Sequence, residues 1–276
     1  MQVYDTLRIL TARPSESDLA EVPHLLFGYV AVSERHSAGK WLEDIGQVLQ
    51  TVQAENRTPI LVGGSGLYLR LLTEGLADIP DIPDEIRKKW QTRLKEIGAE
   101  ALHGELAARD AAGAARIPPS DPTRIVRALE VYEATGKPLH VWHADAAGAA
   151  LVPLSQAETA VISIPRAELH QRIEERFDRM VAVGAISEAE EIAALNLDPN
   201  LPAMKAIGVP EFLAAARGEL SSEQAITDAK TATRRYAKRQ ETWFRHQAAD
   251  WPRLQPSEFD AWLDRAESAH LVASKT

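Results

Sequence analysis

Residues 59–72, PILVGGSGLYLRLL, combine an uninterrupted apolar run with a glycine-rich break and a second apolar segment. The run 60–62 is typical of a buried strand, and the leucines in 67–72 recur at helical spacing. The segment therefore predicts a strand, a tight glycine turn and a helix. Because ligands in open α/β sheets lie beyond the carboxyl ends of strands, Ser65 in the turn is a candidate substrate contact. Close packing alone explains the glycine pair equally well, since the turn matches neither a dinucleotide-binding fingerprint nor a P-loop.

The same alternation of strand-like and helical patterns surrounds this segment. Short apolar stretches at Val3–Tyr4, His24–Phe27 and Thr159–Ile164 predict further strands, and 38–55 has apolar residues at helical intervals. Alternating strands and helices favour a parallel sheet flanked by helices, so the predicted fold class is α/β.

The middle of the chain departs from this alternation of strand-like and helical patterns. A proline-punctuated linker at 77–83 leads into a charged helix over 84–108, and a second helix follows over 121–135. Asp121 and Pro122 are suited to begin that second helix, and Gly136 is suited to end it. We therefore predict a core α/β domain in two parts, 1–82 and 158–276, separated by a helical insertion at 83–157.

The amino-acid composition excludes several classes of chemistry for this protein. The chain has 276 residues, of which 45% are hydrophobic and 26% charged, and it has no cysteine. The absence of cysteine excludes disulfides, thiolate catalysis and sulfur-ligated zinc, and it suits a reducing compartment. The first twenty residues lack the pattern of a secretory leader, and no apolar run reaches membrane-spanning length. We therefore expect a cytoplasmic protein without a membrane partner.

The net charge of −9 conceals a basic segment near the carboxyl end. Residues 230–246, KTATRRYAKRQETWFRH, contain six Lys or Arg residues and one Glu. On a helix, one stripe collects the cations Lys230, Arg234, Lys238 and Arg245, while Ala232, Tyr236 and Trp243 share another face. A basic stripe backed by aromatic residues suits a nucleic-acid backbone, although a solvated surface has the same pattern.

Other charged residues give weaker signals. Arg124 and Arg127 are three apart near the start of their helix, where they can grip phosphates or simply be solvated. Arg172 and Arg176 follow a predicted strand and are candidates to bind a diphosphate, with surface solubility as the alternative. His140 and His143 have metal-compatible spacing, but no carboxylate cluster accompanies them, so no metal site is predicted.

Five segments in order decide between these alternatives: GGSGLYLRLLTEGL, DPTRIVRALEVYEATGKP, RIEERFDRM, PAMKAIG and KTATRRYAKRQETWFRH. Together they resemble the tRNA dimethylallyltransferase family, also called tRNA isopentenyltransferases, and the opening MQVYDTLRILTARPSESDLAEVPHLL is similar to the family's second strand and following loop. The resemblance runs from Met1 to about His246. It implies transfer of a dimethylallyl group from dimethylallyl diphosphate, with Mg²⁺, to the exocyclic amine of the adenine 3′ of the tRNA anticodon.

The resemblance also implies a fold and a mode of binding. The family's sheet is similar to that of P-loop nucleotide kinases, with a helical insertion that holds the tRNA, and its members are monomers. The target adenine is flipped into a channel that the prenyl donor enters from the opposite end. Flipping has a physical reason, because an enzyme cannot reach the amine of a stacked base.

Carried over by position, the resemblance implies a set of site residues. Ser65 stands where the family has a threonine that contacts the target adenine, and Pro210 stands where a basic residue is more usual. The implied tRNA contacts are Met1, Gln2, Ser65, Arg87, Thr123, Arg124, Ile125, Val126, Arg127, Lys205, Ala206, Ile207, Gly208, Val209, Pro210, Lys238, Arg239, Gln240, Glu241, Thr242, Trp243, Phe244 and Arg245.

The amino terminus departs from the family pattern. The family begins with a strand and a P-loop that holds the diphosphate, followed by an aspartate that acts as general base just before the position of Met1. We therefore expect this chain to lack the first strand, the P-loop and that base, and to have little or no transferase activity. Two alternatives remain: an inactive tRNA-binding remnant of such an enzyme, and a nucleotide kinase of similar fold. The basic carboxyl-terminal helix disfavours the kinase.

Overall fold

The computed structural model of the protein describes residues 1–145 and 150–273, with side chains described as far as residue 266. The chain forms two compact units, Met1–Leu69 with Leu154–Thr276, and Arg70–Pro153. They are called unit 1 and unit 2 below. The predicted division into 1–82, 83–157 and 158–276 stays a prediction, because compactness alone does not define a folding domain. The predicted loose segment after Ala144 lies partly outside the described residues.

Most of the described chain is helical, as the apolar periodicity predicts for the longer segments. The helices are α1 Glu16–Glu21, α2 Ala38–Ala54, α3 Gly66–Glu74, α4 Asp84–Arg109, α5 Ala111–Ala114, α6 Pro122–Thr135, α7 Leu139–Asp145, α8 Arg166–Ala182, α9 Ala185–Ala194, α10 Val209–Ala216, α11 Ser222–Gln247 and α12 Phe259–Ala273. Short 3₁₀ turns cover Leu154–Gln156, Ala203–Lys205 and Pro256–Glu258. None of the helices in the described part of the chain is both long and apolar enough to cross a membrane.

The sheet is much smaller than predicted. Within the described residues, β1 (Val161–Ile162) pairs in parallel with β2 (Arg253–Leu254), and one parallel bridge joins Tyr4 to Val30. The predicted strand at 24–27 is wrong. Those residues are irregular, and the bridge to Tyr4 forms at Val30 instead. The α/β class is therefore confirmed only in its coarse form, as a mostly helical fold with a small parallel sheet.

The apolar run 60–62 is not a strand. Ile60 and Val62 are 69% and 90% exposed, and no described segment forms a ladder with them. A strand is held by hydrogen bonds to a neighbouring strand, so an apolar run without such a neighbour stays irregular. The helix predicted after the turn is confirmed as α3.

Unit 1 contains two apolar clusters. The first packs Tyr4, Leu7 and Val30 against residues of 192–209, and the second packs Phe177 and Met180 of α8 against α10 and α11. Burying one such side chain contributes about 1.5–3 kcal/mol. The first cluster thereby anchors the amino-terminal segment to the carboxyl-terminal half of the chain.

A buried carboxylate reinforces this anchor. Glu188 of α9 is 6% exposed and accepts hydrogen bonds from the backbone N–H groups of Arg8, Ile9 and Leu10, at 2.9, 2.6 and 2.9 Å. These donors lie in a loop without regular pairing of its own. Since buried N–H groups need acceptors, Glu188 fixes the path of the loop.

Unit 2 is a helical assembly built on α4 and α6. Trp90, Leu102 and Leu106 of α4 pack against Ile125 and Leu129 of α6. The predicted ends of α6 are confirmed: the Asp121 side chain accepts from the Arg124 N–H, Pro122 is in the first turn, and Gly136 has a left-handed φ of 69°. Helix α4 is interrupted at Gly98, whose φ of 78° is non-helical.

Candidate active site

The glycine turn at 63–66 lies against the long helix α11 in unit 1. The Ser65 side-chain oxygen Oγ is 3.1 Å from the Tyr236 Oη in a half-buried setting. The Ser65 carbonyl accepts the first backbone hydrogen bonds of α3, from Tyr68 and Leu69. The turn therefore holds the serine between a helix start and a phenol that is 171 residues away in sequence.

The two glycines flanking Ser65 make this approach possible. A Cβ atom on Gly64 would lie 2.0 Å from Nε2 of Gln240, and one on Gly66 would lie 2.2 Å from Cδ2 of Trp243. A side chain at Gly66 would collide with the Trp243 ring and force α3 or α11 to shift, whereas one at Gly64 would displace only the flexible end of Gln240. Tyr236, Gln240 and Trp243 are spaced i, i+4 and i+7, so they form one face of α11.

Aromatic side chains surround the turn. The Tyr68 ring packs edge-on against Trp41, with ring centroids 4.6 Å apart, and Trp243 packs edge-on against Phe244 at 5.2 Å. Burial raises the pKa of the Tyr68 phenol, and the neighbouring Tyr236 adds to the effect. The surface thus combines apolar rings with hydroxyl groups, a combination that can stack a planar base and hydrogen-bond to its edge.

Ser65 is suited to binding rather than to nucleophilic attack. A serine nucleophile needs an adjacent general base, and the Ser65 hydroxyl is instead paired with a phenol. A phenol is a poor proton acceptor and does not serve as a general base for a serine. The arrangement therefore orients the serine hydroxyl and does not activate it.

The predicted contacts at the amino terminus lie in a tightly bonded loop of unit 1. Met1 and Gln2 are exposed, and Gln2 Nε2 donates to the Ala12 carbonyl at 3.1 Å. Arg13 Nη1 donates to the carbonyls of Tyr4 and Asp5, at 3.1 and 2.8 Å. These bonds hold the two predicted contact residues in one conformation.

In unit 2, Arg87 and Arg127 flank a single buried carboxylate. Arg127 Nη1 is 3.9 Å from Glu130 Oε2. Burial raises the pKa of Glu130 against the lowering effect of both arginines, and burial lowers the pKa of Arg127, which Glu130 partly offsets. Burial also lowers the pKa of His143, to which Arg70 and Arg127 add. This half-buried cationic cluster is chemically suited to an anion such as a phosphate.

The other predicted tRNA contacts differ in whether their side chains are exposed. Thr123 and Arg124 are exposed, whereas the Ile125 and Val126 side chains are buried in the unit 2 core. In the segment 205–210 of unit 1, Lys205 and Pro210 are exposed, whereas Ala206, Gly208 and Val209 are buried and Ile207 is half-buried. The buried members can shape a contact surface but cannot present side chains to a ligand.

The basic stripe on α11 is divided into two parts. Lys230 Nζ lies 2.6 Å from Asp178 Oδ1 and 3.2 Å from Glu174 Oε2 of α8, and Arg234 also pairs with Glu174. The carboxylates, Asp178 first, raise the pKa of Lys230. The four cations lie on one helix, as predicted, but Lys230 and Arg234 are neutralised within the protein, so the stripe is not a continuous free surface.

The second part of α11 remains open to a ligand. Lys238, Arg239, Glu241, Thr242 and Arg245 are exposed, and Gln240, Trp243 and Phe244 are half-buried. Arg245 Nη2 contacts Glu241 Oε1 at 2.6 Å, but both side chains are largely exposed, so this ion pair is weak. The predicted packing of the Ala232, Tyr236 and Trp243 face is confirmed by the half-burial of all three.

The remaining candidates lie on α8 and α7. Arg172 and Arg176 are exposed, and Arg172 Nη2 contacts Glu168 Oε1 at 2.6 Å one turn earlier. His140 Nδ1 lies 3.4 Å from Asp110 Oδ2. The described residues contain no group of three or more His, Cys, Asp or Glu side chains that could hold a metal. Diphosphate binding by the two arginines stays a prediction.

The sequence reasoning missed two features of the site. It assigned Tyr236 to core packing rather than to a hydrogen bond with Ser65, and it did not place Tyr68 and Trp41 beside the turn. Local periodicity shows which residues share one face of a helix, but it does not show which residues of other segments that face contacts. A partial signal was present, because Tyr236, Gln240 and Trp243 are spaced i, i+4 and i+7 and so share one face of a helix.

Comparison with known proteins identifies the family of this chain. The family described as IPP transferase matches residues 2–247. A protein of Bradyrhizobium sp. (strain ORS 278) named tRNA dimethylallyltransferase is 50% identical over 256 residues, which cover 93% of this chain and 83% of the relative. A protein of the same name from Rhodospirillum centenum is 50% identical over 258 residues, covering 94% and 82% of the two chains.

Solved structures agree in fold. A tRNA isopentenylpyrophosphate transferase from Bacillus halodurans has a TM-score of 0.62 at 30% identity, covering 92% of this chain and 78% of its own. A tRNA delta(2)-isopentenylpyrophosphate transferase from Staphylococcus epidermidis has a TM-score of 0.65 at 26% identity, covering 100% and 89%. With a family match over most of its length and relatives at half identity, the chain belongs to the IPP transferase family.

Proposed function

We propose that this protein transfers a dimethylallyl group from dimethylallyl diphosphate to N6 of the adenosine 3′ to the anticodon, position 37, of tRNAs. One observation carries the proposal: the Ser65 hydroxyl is held by α11, and the same helix exposes Lys238, Arg239 and Arg245 beyond that contact. The helix that holds a hydroxyl suited to contact a base thus also carries cations suited to contact the tRNA backbone. The names of relatives that are half identical over most of the chain favour transfer over an inactive tRNA-binding remnant, so we propose transfer in place of the expectation of little or no activity.

The residues of this chain supply recognition in the proposed reaction. Ser65 and the aromatic rings receive the flipped adenine, and the exposed cations of α11 bind the tRNA backbone. Arg172 and Arg176 are proposed to contact the diphosphate of the donor. Holding the amine and the prenyl carbon in contact is itself a large contribution to rate, because it replaces a bimolecular encounter with an oriented one.

The cofactor and the setting are also part of the proposal. Mg²⁺ would neutralise the phosphate oxygens of the departing diphosphate, as it commonly does while keeping most of its water ligands. A monomeric cytoplasmic enzyme is proposed, in keeping with a substrate as abundant in the cytoplasm as tRNA.

A labelled-donor assay tests the function. The protein is incubated with Mg²⁺, an anticodon stem-loop and dimethylallyl diphosphate labelled in the prenyl group. We expect label in the stem-loop with adenosine at position 37 and none when guanosine replaces it. Salt-dependent binding of the stem-loop without transfer would overturn the proposal in favour of a binding module, and phosphate transfer from labelled ATP to a small acceptor would identify a kinase.

The division of the α11 cations gives a further expected result. Lys238→Ala should weaken tRNA binding and lower the slope of log affinity against log salt by about one, since one phosphate contact is lost. Lys230→Ala is the matched control on the same helix, and it should leave the slope unchanged because Lys230 is engaged by Asp178 and Glu174. Fluorescence anisotropy of a labelled stem-loop at several salt concentrations measures both slopes. Equal changes in the two variants would show that the stripe acts as a whole.

A further inference from the structure

The hydrogen bond between Ser65 and Tyr236 has a preferred direction. Their oxygens are 3.1 Å apart, and geometry permits either to donate. A phenol is a stronger acid than an aliphatic alcohol, and its oxygen lone pairs are partly delocalised into the ring. Tyr236 is therefore the better donor and Ser65 the better acceptor.

The surroundings of Tyr236 reinforce that direction. The Arg239 guanidinium carbon lies 5.6 Å from the centre of the Tyr236 ring, where a cation is attracted to the ring electrons. The positive charge withdraws electron density from the phenol and strengthens its O–H as a donor. The phenol cannot move away easily, because Gln240 and Trp243 on the same face close against the glycines on either side of Ser65.

We propose that Tyr236 is a positioning residue that orients the Ser65 hydroxyl to recognise the exocyclic amine of the target adenine, an inference that rests on the proposed function. With one Ser65 lone pair occupied by the Tyr236 proton, the serine retains an O–H donor and a second lone pair. The Watson–Crick edge of adenine offers an amine N–H donor beside a ring nitrogen acceptor, which is the complementary pair. The serine oxygen accepts a hydrogen bond from the amine N–H, so the lone pair of the amine nitrogen is left free.

This arrangement distinguishes a base that carries an exocyclic amine from a base that lacks one. A base that lacks the exocyclic amine leaves the serine acceptor without a partner in a half-buried site, which weakens binding. Without the phenol, the serine hydroxyl rotates freely and most of this preference is lost. The hydroxyl itself remains, so binding of the rest of the tRNA is unchanged.

A binding experiment tests the inference without requiring turnover. Affinities are measured for two anticodon stem-loops, one with adenosine and one with purine riboside at position 37. We expect the wild-type protein to prefer adenosine about three- to tenfold, the worth of one hydrogen bond. Tyr236→Phe should remove most of this preference while keeping the affinity for the purine stem-loop. Ser65→Ala should remove it completely, and the double variant should lose no more than Ser65→Ala.

A control on the same helix separates positioning from folding. Thr233→Val removes a hydroxyl that bonds the Ala229 carbonyl one turn earlier in α11, and it should retain the full preference. A preference that survives Tyr236→Phe but not Ser65→Ala would overturn the role of Tyr236, as would a wild-type protein with no preference. The labelled-donor assay is independent, so a lost preference in Tyr236→Phe without transfer by the wild type would support the inference and contradict the proposed function.

Discussion

Replacing Glu188 with alanine is expected to lower the free energy of unfolding by about 3–4 kcal/mol, because three half-buried backbone N–H groups lose their shared acceptor. Each unsatisfied buried donor costs about 1–3 kcal/mol before the loop relaxes. The Arg8 N–H also donates to the Thr6 carbonyl at 3.1 Å, so the loss falls mainly on the Ile9 and Leu10 N–H groups, which would have to bond to water. Urea denaturation followed by tryptophan fluorescence measures the loss.

Two variants make this result interpretable. Glu188→Gln keeps one acceptor oxygen and should cost about 2 kcal/mol. Glu190→Ala, at an exposed position on the same helix, should change stability by less than about 0.5 kcal/mol. If Glu188→Ala were as mild as Glu190→Ala, the carboxylate would not hold the loop in solution.

The second large effect is expected from Gly66→Ala. The added methyl group would lie 2.2 Å from the Trp243 ring, so α3 or α11 must shift. We expect a loss of stability of about 1–3 kcal/mol from overpacking. We also expect a fall in prenyl transfer of about 100-fold, because a displacement of about 1 Å at the site misaligns Ser65 with its substrate. Thermal unfolding and the labelled-donor assay measure the two effects separately.

The neighbouring Gly63 is the matched control. A Cβ atom at Gly63 would have no atom within 4 Å, so Gly63→Ala changes the same turn without a collision. Stability and transfer should both stay near the wild-type values. A large loss in Gly63→Ala would show that backbone freedom of the turn, rather than the approach of Trp243, is what the glycines provide.

The helices were predictable because their signals are local. The apolar intervals of α2 and the cap and stop residues of α6 lie within a few residues of the structure they determine. The sheet was not, because a strand exists only through its partner. The run 60–62 has the composition of a strand but no described neighbour to pair with, and β2 has too few apolar residues to be noticed.

In the candidate site, too, the local features were predictable and the tertiary contacts were not. Ser65 was identified from its own turn, whereas its partner Tyr236 lies far along the chain and is found only once α11 is packed. The cationic stripe was correct as a helical face and wrong as a free surface. Glu174 and Asp178 belong to another helix, and no spacing rule within α11 reveals them.

Those two carboxylates also set the length of nucleic acid that α11 can follow. On the stripe that contains Lys230 and Arg234, the cations left exposed are Lys238 and Arg245, which are about 10 Å apart at the rise of an α-helix. At about 3.4 Å of rise per nucleotide, that length corresponds to about three steps of one strand. A cationic face of the whole helix would lie along any long duplex, whereas this short one grips a few nucleotides around a single displaced base.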